Sequence, residues 1–349
     1  MKEIKKNLFI TFTPYQFISA YNLCKENYQA DEFVNIIYFF KSNKSGYEIS
    51  LKFEDFNGEI IRFDDESWLD LIMSLKDQVF CRFFFFQENS IYNKYLAYHL
   101  KKKGTIICLG PDGTKPYGIF NKKHEIISIL KDTWRDYKLL KSNGLMLNVL
   151  MWSKYYRYGS FKYLDEVWLQ YPELFDAKKN KTKGKIVKLP ELNSENITKL
   201  SKAFKFDCKL HEKDGIILYF NQPFYSKPLI DKEFEILEQI SISFPHKKIN
   251  IKLHPGTNPS VKDKMLGKSY LNVIEDKMPA EFYLKEVSNS IVLTGWSAAL
   301  MHDINKNNNN YFYLYPLYKK TNDKVLSQIS LIGFPHVKML DNIKELHFM

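Results

Sequence analysis

Three short apolar runs that each stop at a turn constrain the fold of this chain more than any other feature. Residues 248–253 lead into His254, residues 105–109 lead into Asp112, and Ile291–Thr294 leads into Ser297. Each stop contains glycine or proline, which end strand pairing and permit a sharp turn. In a parallel α/β sheet the carboxyl ends of the strands form the edge where ligands bind. An acid, a histidine and a hydroxyl at such strand ends form a candidate site.

Strand-like and helix-like segments alternate along the chain, which indicates mostly parallel α/β sheets. The predicted strands cover residues 7–12, 33–40, 59–63, 79–86, 105–109, 163–170, 215–220, 248–253, 271–274, 290–294 and 311–314. The predicted helices cover residues 15–26, 68–75, 91–102, 193–204, 229–240, 279–287 and 297–304, and the pattern of residues 124–158 is helical, aromatic and basic. Residues 178–185 are predicted to be a charged loop and residues 307–310 a polar turn.

The length of the chain predicts two domains, because 349 residues exceed what one hydrophobic core usually accommodates. The strand at residues 163–170 is expected to close the first domain. We place the boundary so that residues 1–205 form the first domain and residues 206–349 the second. Both domains are predicted to be Rossmann-like α/β units, and two such units facing a central cleft make the GT-B architecture of nucleotide-sugar glycosyltransferases.

The net charge of +11 favours anionic partners such as nucleotides, acidic glycans or a phospholipid surface. The basic residues are scattered, and runs such as 101–103 and 178–185 are typical of solvated surface. No recognised DNA- or RNA-binding module occurs in the sequence, so nucleic acid is not an expected partner.

The four cysteines, the start of the chain and its hydropathy indicate a cytoplasmic protein. The cysteines lie far apart without CxxC spacing, so neither zinc nor a disulfide framework is expected, and Cys24 and Cys108 are predicted to be buried. The apolar segment at residues 8–10 is too short for a signal peptide, and no window of about 18 apolar residues exists. The acidic residues 64–66 do not form a convincing metal motif.

Asp112 and His254 are the candidate catalytic residues. Asp112 lies in an exposed turn flanked by glycines and prolines, where a carboxylate can remove a proton from an attacking hydroxyl; an ordinary β-turn explains the same residues. His254 can donate a hydrogen bond to a phosphate oxygen of a departing nucleotide. The alternative is that this histidine, at the end of a strand, forms hydrogen bonds only within its own loop.

Ser297 and Glu281 are the candidate nucleotide-binding residues. Ser297 opens a predicted helix, and its hydroxyl and the first free backbone amides can hold a phosphate, although serine is also a common helix cap. Glu281 lies just inside a helix that begins near Pro279. A carboxylate there can accept hydrogen bonds from ribose hydroxyls or simply favour the helix dipole. Tyr15 and Gln16, at the head of the first helix, either stabilise that helix or contribute to an acceptor site.

Together these pieces resemble the bacterial sialyltransferases of glycosyltransferase family 52, which act on lipooligosaccharide and capsule and have the bacterial polysialyltransferases as cousins. The matching segments are residues 7–16, Pro111-Asp112-Gly113, Lys252-Leu253-His254-Pro255, Pro279-Ala280-Glu281 and Gly295-Trp296-Ser297-Ala298. Their order and spacing cover most of the chain. Pro111 occupies the first of the two acidic positions in the family motif, and Ala298 occupies the second of its two hydroxyl positions.

The resemblance implies an inverting transfer, without a metal or other cofactor, of sialic acid from CMP-sialic acid to a glycan or glycolipid hydroxyl. Asp112 would be the base, His254 and Ser297 would bind the CMP phosphate, and Glu281 would hold the ribose. Gly113, Gly295 and Pro255 complete the implied binding set. The first domain would lie on the acceptor side and the second would bind the nucleotide sugar. Peripheral contact with the inner membrane and a homodimer are also implied.

Three alternatives stay open at the level of sequence. The same fold can use another sugar donor, CMP-Kdo or a UDP-sugar, and the departures at Pro111 and Ala298 keep this alternative open. A glycerophosphotransferase that uses CDP-glycerol would also need a phosphate-binding histidine and serine. Finally, the chain could be a nucleotide- or sugar-binding module without catalysis, because a fold by itself does not determine a function.

Overall fold

The computed structural model describes residues 4–40, 53, 56–117, 126–145, 158–302, 304, 308–321 and 333–346. Within these ranges the chain forms two compact units, which divide between Glu191 and Leu192. The sequence-based boundary after residue 205 assigns the helix Ser194–Ala203 to the first domain, whereas in the structure this helix belongs to the second unit. That helix packs against the second unit, where the ring of Phe204, directly after its last residue, lies 5.2 Å from the ring of Phe282.

The first unit is built on a seven-stranded sheet in the order β3-β2-β1-β4-β5-β6-β7, and every neighbouring pair is parallel. Its strands are β1 (Lys5–Thr11), β2 (Phe33–Phe40), β3 (Gly58–Phe63), β4 (Arg82–Phe85), β5 (Ile106–Leu109), β6 (Glu166–Leu169) and β7 (Lys185–Lys188). Because strand order reverses between β1 and β4, this sheet is doubly wound, with its switch point at those two strands.

Within the described ranges the first unit has five helices: α1 (Pro14–Asn27), α2 (Trp68–Leu75), α3 (Ile91–Lys102), α4 (Ile126–Ser142) and α5 (Ala177–Asn180). Helix α1 begins with Pro14 in its first turn, and the Thr13 hydroxyl caps it by accepting from the amide of Gln16. The core of this unit is aromatic: Phe83 and Phe85 of β4 are fully buried among leucines and isoleucines of the flanking helices.

The second unit repeats the design with six parallel strands in the order β10-β9-β8-β11-β12-β13. The strands are β8 (Ile217–Phe220), β9 (Ile249–Lys252), β10 (Leu271–Ile274), β11 (Ile291–Thr294), β12 (Asn310–Tyr313) and β13 (Val337–Met339), and the helices are α6 (Ser194–Ala203), α7 (Lys227–Ser243), α8 (Pro259–Leu266), α9 (Ala280–Glu286) and α10 (Tyr315–Lys319). Strand order reverses between β8 and β11, so the switch point of this sheet lies there.

The predicted α/β class is confirmed. The predicted helices and strands differ from those of the structure where the sequence has few apolar residues. Residues 178–185 are not a plain loop: they include most of the one-turn helix α5, and Lys185 starts the edge strand β7. The strand at residues 163–170 therefore does not close the first unit. Helix α8 and strand β13 were not predicted. The polar turn at residues 307–310 and the helical pattern of residues 124–158 lie partly outside the described residues.

The helix predicted at residues 297–304 is instead a four-residue 3₁₀ helix, Ala298–Met301. Residue 303 lies outside the described residues, so only the first part of the prediction can be compared. A 3₁₀ helix of this length presents fewer free amides in line than an α-helix does, because it makes barely more than one turn.

We expect Leu293→Ala to destabilise the protein by about 2–5 kcal/mol, because Leu293 is fully buried in β11 at the centre of the second sheet and its truncation leaves a cavity. Urea unfolding followed by circular dichroism measures this change. Ile242→Ala is the matched control: Ile242 is 72% exposed, so its loss should stay within about 0.5 kcal/mol. Equal effects of the two substitutions would contradict the assigned core.

Candidate functional site

The carboxyl edge of the second sheet collects the polar residues that follow β8, β9 and β11. Strand β8 lies between the other two, with Phe220 paired to Lys252 on one side and to Thr294 on the other. The next residues along these three strands, beginning with Asn221, Leu253 and Gly295, therefore leave the sheet at one edge. This edge includes the switch point between β8 and β11, where doubly wound sheets bind ligands.

His254 leaves this edge with one ring nitrogen already engaged. Its Nδ1 accepts a hydrogen bond from the amide of Gly256 at 3.0 Å, so the proton of the neutral ring resides on Nε2. Partial desolvation lowers the pKa of His254, and the positive charge of Lys252 lowers it further. The ring is thus a neutral donor near pH 7, with Nε2–H as its donating group.

A buried hydrogen-bond network holds the loop that carries His254. Asn221 is central to it: its Oδ1 accepts from the amide of His254 at 3.3 Å and from the hydroxyl of Thr257. Its Nδ2 donates to Glu233, with distances of 3.0 and 3.2 Å to the two carboxyl oxygens. Glu233 in turn accepts from the hydroxyl of Tyr219 at 2.5 Å. Through Asn221, the orientation of the His254 loop is tied to the interior of the second unit.

Glu233 was missed by sequence reasoning, although its helix was predicted correctly. It lies on α7 four residues after Leu229 and four before Leu237, on the face that packs in the core. A carboxylic acid among buried apolar residues at helical spacing is the signal that marks it. Burial raises its pKa to about 7, although hydrogen bonds from Tyr219 and Asn221 act in the opposite direction.

Lys252 places a buried cation under the same edge. Its ammonium group donates to the carbonyls of Leu253 at 3.1 Å and Asp276 at 2.5 Å, and it lies 3.3 Å from the Asp276 carboxylate. Its side chain is only 3% exposed. Burial lowers the pKa of Lys252, while Asp276 opposes that shift. The cation ties the ends of β9 and β10 together, and the Asp276 carboxylate compensates its charge.

Ser297 caps the 3₁₀ helix after β11, as its sequence position predicted for a serine that opens a helix. Its hydroxyl oxygen accepts from the amide of Ala299 at 3.2 Å, which leaves the hydroxyl hydrogen to donate to a ligand. Gly295, two residues earlier, lies close to the loop after β8: a Cβ there would stand 3.3 Å from the side chain of Gln222. A larger residue at this position would require the Gln222 side chain to shift by a few tenths of an ångström.

Glu281 lies at the start of α9, beyond the end of β10, and only 4% of it is exposed. Burial raises its pKa to about 7, and its own backbone amide acts in the opposite direction. Within the described ranges no other side chain hydrogen-bonds its carboxyl group. A buried carboxyl of this kind is costly to ionise unless hydroxyl or amide donors approach it. Pro255, also predicted for the site, is exposed beside His254.

Asp112 follows β5 in the first unit, and both of its carboxyl oxygens are engaged. Oδ1 accepts from Nε2 of Gln16 at 3.0 Å, and Oδ2 forms an ion pair with Lys115. The buried Gln16 is itself oriented, because its Oε1 accepts from the amide of Phe12 at 2.8 Å. Gln16 therefore orients Asp112 as well as heading α1. Gly113 has φ +59°, a left-handed conformation that glycine adopts without strain and that closes this turn.

The seven predicted site residues thus divide between the two units. His254, Pro255, Glu281, Gly295 and Ser297 share the carboxyl edge of the second sheet, whereas Asp112 and Gly113 follow β5 of the first. In the part of the chain that the structure describes, no group of three or more His, Cys, Asp or Glu side chains could hold a metal ion. No helix within the described ranges is long and apolar enough to cross a membrane.

Comparison with protein-family models and with curated protein sequences finds no match. Among solved structures, the chain is similar to the GT-B domain of a sialyltransferase from Photobacterium damselae. The two share 10% sequence identity and a TM-score of 0.52, and the match covers 96% of this chain and 100% of that one. It is also similar to S. aureus MnaA in complex with UDP, with 13% identity, a TM-score of 0.51, and coverage of 89% of this chain and 79% of that one.

These similarities establish the fold. The chain contains two doubly wound parallel sheets of seven and six strands, and it matches the whole length of the sialyltransferase GT-B domain. It therefore has a GT-B, glycosyltransferase-like fold with two Rossmann-like domains. The predicted fold class is confirmed. Identities of 10% and 13% carry no information on donor or acceptor, so the chemistry must be argued from the residues themselves.

We expect the titration of Glu233 to make the protein less stable as pH rises from about 4.5 to 7. The folded state keeps the Glu233 proton up to a pKa of about 7, whereas the unfolded chain releases it near 4.5, so rising pH favours unfolding over that window. The full effect is up to about 3 kcal/mol. Glu233→Gln should flatten the pH dependence of urea unfolding, and Glu238→Gln, an exposed acid on the same helix, should not. Parallel pH profiles for Glu233→Gln and the unmodified protein would exclude a raised pKa.

Proposed function

We propose that the protein is an inverting glycosyltransferase that moves sialic acid from CMP-sialic acid to a hydroxyl of a cell-surface glycan, lipooligosaccharide or capsule. The nucleotide part of the donor is assigned to the carboxyl edge of the second sheet, and the acceptor hydroxyl is assigned to Asp112. The reaction is proposed to need no metal, because hydrogen-bond donors take over the charge on the leaving phosphate.

The observation that carries this proposal is the pair of donors at one edge of the second sheet. Among the residues that the structure describes, neither Nε2–H of His254 nor the hydroxyl hydrogen of Ser297 is engaged by an internal acceptor. The buried ion pair of Lys252 with Asp276 holds the end of the strand that leads to His254. A single phosphate between sugar and nucleoside, as in a CMP-sugar, matches two donors.

Glu281 is proposed to accept hydrogen bonds from the ribose hydroxyls. Its carboxyl group is buried, has a pKa of about 7 and faces no partner side chain within the described ranges. Two hydroxyl donors would stabilise its ionised form, because hydrogen bonds to a carboxylate favour that form. This role explains why a buried acid follows β10 on a helix that is otherwise apolar at its start.

Asp112 is proposed to act as the general base. The acceptor hydroxyl transfers its proton to a carboxyl oxygen of Asp112 while the hydroxyl oxygen bonds to the anomeric carbon of sialic acid. The bond from that carbon to the phosphate oxygen breaks, and the electron pair leaves with CMP, whose phosphate accepts hydrogen bonds from His254 and Ser297. Attack opposite the leaving group inverts the anomeric configuration. Gln16 and Lys115 hold the Asp112 carboxylate for this step.

A second candidate is a transferase on the same scaffold that uses a UDP-sugar. S. aureus MnaA, which is similar in fold to the same degree, binds UDP in its solved structure. A diphosphate needs more donors than a monophosphate does, and the edge supplies two assigned donors, Nε2 of His254 and the hydroxyl of Ser297. The CMP-sugar assignment is therefore preferred. Transfer from CMP-Kdo or from CDP-glycerol also releases CMP, so turnover assays with each donor distinguish these two candidates from CMP-sialic acid.

We expect CMP, but not UDP, to raise the melting temperature, because a ligand that binds only the folded state stabilises it. At a concentration about a hundred times Kd the gain is roughly 5 °C. His254→Ala should abolish the gain, whereas His246→Ala, an exposed histidine of the same unit, should retain it. Thermal-shift assays with CMP, CDP, UMP and UDP measure these differences. Stabilisation by UDP alone would replace the sialyl assignment with the UDP-sugar candidate.

We expect Asp112→Asn to lower the turnover of CMP-sialic acid with a galactoside acceptor by about 10²–10⁴-fold, because the variant lacks the base. CMP binding should persist, since the nucleotide contacts are assigned to the second unit. Asp31→Asn, at an exposed acid of the first unit, is the control and should keep full turnover. Wild-type turnover in Asp112→Asn would remove Asp112 from the mechanism; CMP binding without turnover in the unmodified protein would favour a binding module.

A further inference from the structure

Helix α4 of the first unit carries an exposed aromatic pair that the proposed transfer chemistry does not use. Trp134 is 59% exposed and Tyr137 is 38% exposed. Their rings stack, with centroids 5.6 Å apart and planes 26° from parallel. Two stacked aromatic rings exposed on one helix form an apolar patch, and exposed apolar patches rimmed by polar residues are found at protein and membrane interaction sites.

Lysines surround these two rings. The ammonium group of Lys138 lies 5.4 Å from the centre of the Trp134 ring, and that of Lys141 lies 6.0 Å from the centre of the Tyr137 ring. Both pairs are four residues apart, so the rings and the ammonium groups lie on one face of the helix. Lys131, three residues before Trp134, is exposed and adds a further cation on that side. We call the surface of Trp134, Tyr137, Lys138 and Lys141 the aromatic-basic face.

The opposite side of α4 attaches the helix to the first unit. Leu140 is 1% exposed and belongs to the core cluster of that unit. The chain just after the helix is also held, because Asn143 donates to the hydroxyl of Tyr92 at 3.2 Å. Residues 134, 135 and 137–139 are all exposed. The aromatic-basic face therefore lies on the solvent-exposed side of a helix that is anchored to the first unit.

We propose that the aromatic-basic face of α4 docks the protein on an anionic phospholipid surface. Trp and Tyr rings are suited to the headgroup level of a bilayer, where an apolar ring and a polar tip are both accommodated. Lysines beside them are attracted to anionic headgroups and keep their ammonium groups in water. This inference goes beyond the transfer reaction and holds whichever donor the second unit binds.

The charge and the exposed rings of the face favour a bilayer over other occupants. Residues 131–141 contain four cations and two aspartates, and one aspartate, Asp136, forms an ion pair with Arg135. The core of a protein interface is usually depleted in lysine, which argues against a second copy of this chain. An anionic bilayer surface matches both the exposed rings and the excess of lysine.

Co-sedimentation of the full chain with vesicles tests this inference. We expect binding to phosphatidylcholine vesicles that contain phosphatidylglycerol, weak binding to phosphatidylcholine alone, and a loss of binding as salt rises from roughly 0.1 to 0.5 M. Lys138→Glu with Lys141→Glu should lower the partition coefficient at least about tenfold. Lys248→Glu with Lys264→Glu changes the net charge equally at exposed sites of the second unit and should leave binding largely intact.

The aromatic contribution needs its own pair of variants. Trp134→Ala with Tyr137→Ala should also lower binding at least about fivefold, because it removes the interfacial rings. Ile242→Ala with Leu266→Ala removes two exposed apolar side chains of the second unit and should not lower it. The inference is overturned by equal binding of test and control variants. It is also overturned if the unmodified protein does not bind anionic vesicles. A dimer that is detected by light scattering and dissociated by Trp134→Ala with Tyr137→Ala would overturn it as well, because the face would then be a dimer interface.

Discussion

Parallel pairing of β8 with β9 and β11 is the constraint on which the rest of the second unit depends. Because all three strands run the same way, the residues after each of them leave at one edge, and distant parts of the sequence meet there. Backbone pairing delivers the loops but does not orient them. Asn221 does so by accepting from the amide of His254 while donating to Glu233. The sheet thus sets the place of the site, and one buried side-chain amide sets its geometry.

Buried ionisable groups are concentrated around that edge. Glu233, Glu281 and Lys252 are nearly inaccessible to water. Burial raises the pKa of the two glutamates and lowers the pKa of the lysine, so that in each case it favours the neutral form. Such groups reduce stability compared with apolar residues of similar size unless they are fully paired. Lys252 and Glu233 have internal partners, which accounts for them structurally. Glu281 does not have an equivalent side-chain partner within the described ranges, and this difference is why it is assigned to the ligand.

The first unit combines a rigid carboxylate with an exposed helix. Asp112 is held by Gln16 and Lys115, so its oxygens are oriented before any acceptor arrives, which lowers the reorganisation that a proton transfer requires. Helix α4 instead directs aromatic rings and lysines toward solvent. The proposed reaction on a membrane-borne glycan would use both features, since Asp112 would act on the acceptor hydroxyl and helix α4 would hold the protein near the membrane.

The sequence by itself determined the two α/β units and the strand ends that carry Asp112, His254 and Ser297, because runs of buried residues that stop at glycine or proline are local signals. It did not reveal edge strand β7, where only two apolar residues lie between Lys185 and Lys188, or the 3₁₀ geometry after Ser297. Only the tertiary structure decided which polar residues meet: Glu233, Asn221 and His254 are far apart in sequence, and Gln16 reaches Asp112 across 96 positions. Hydrogen bonds between such residues depend on strand order and register, which apolar periodicity does not encode.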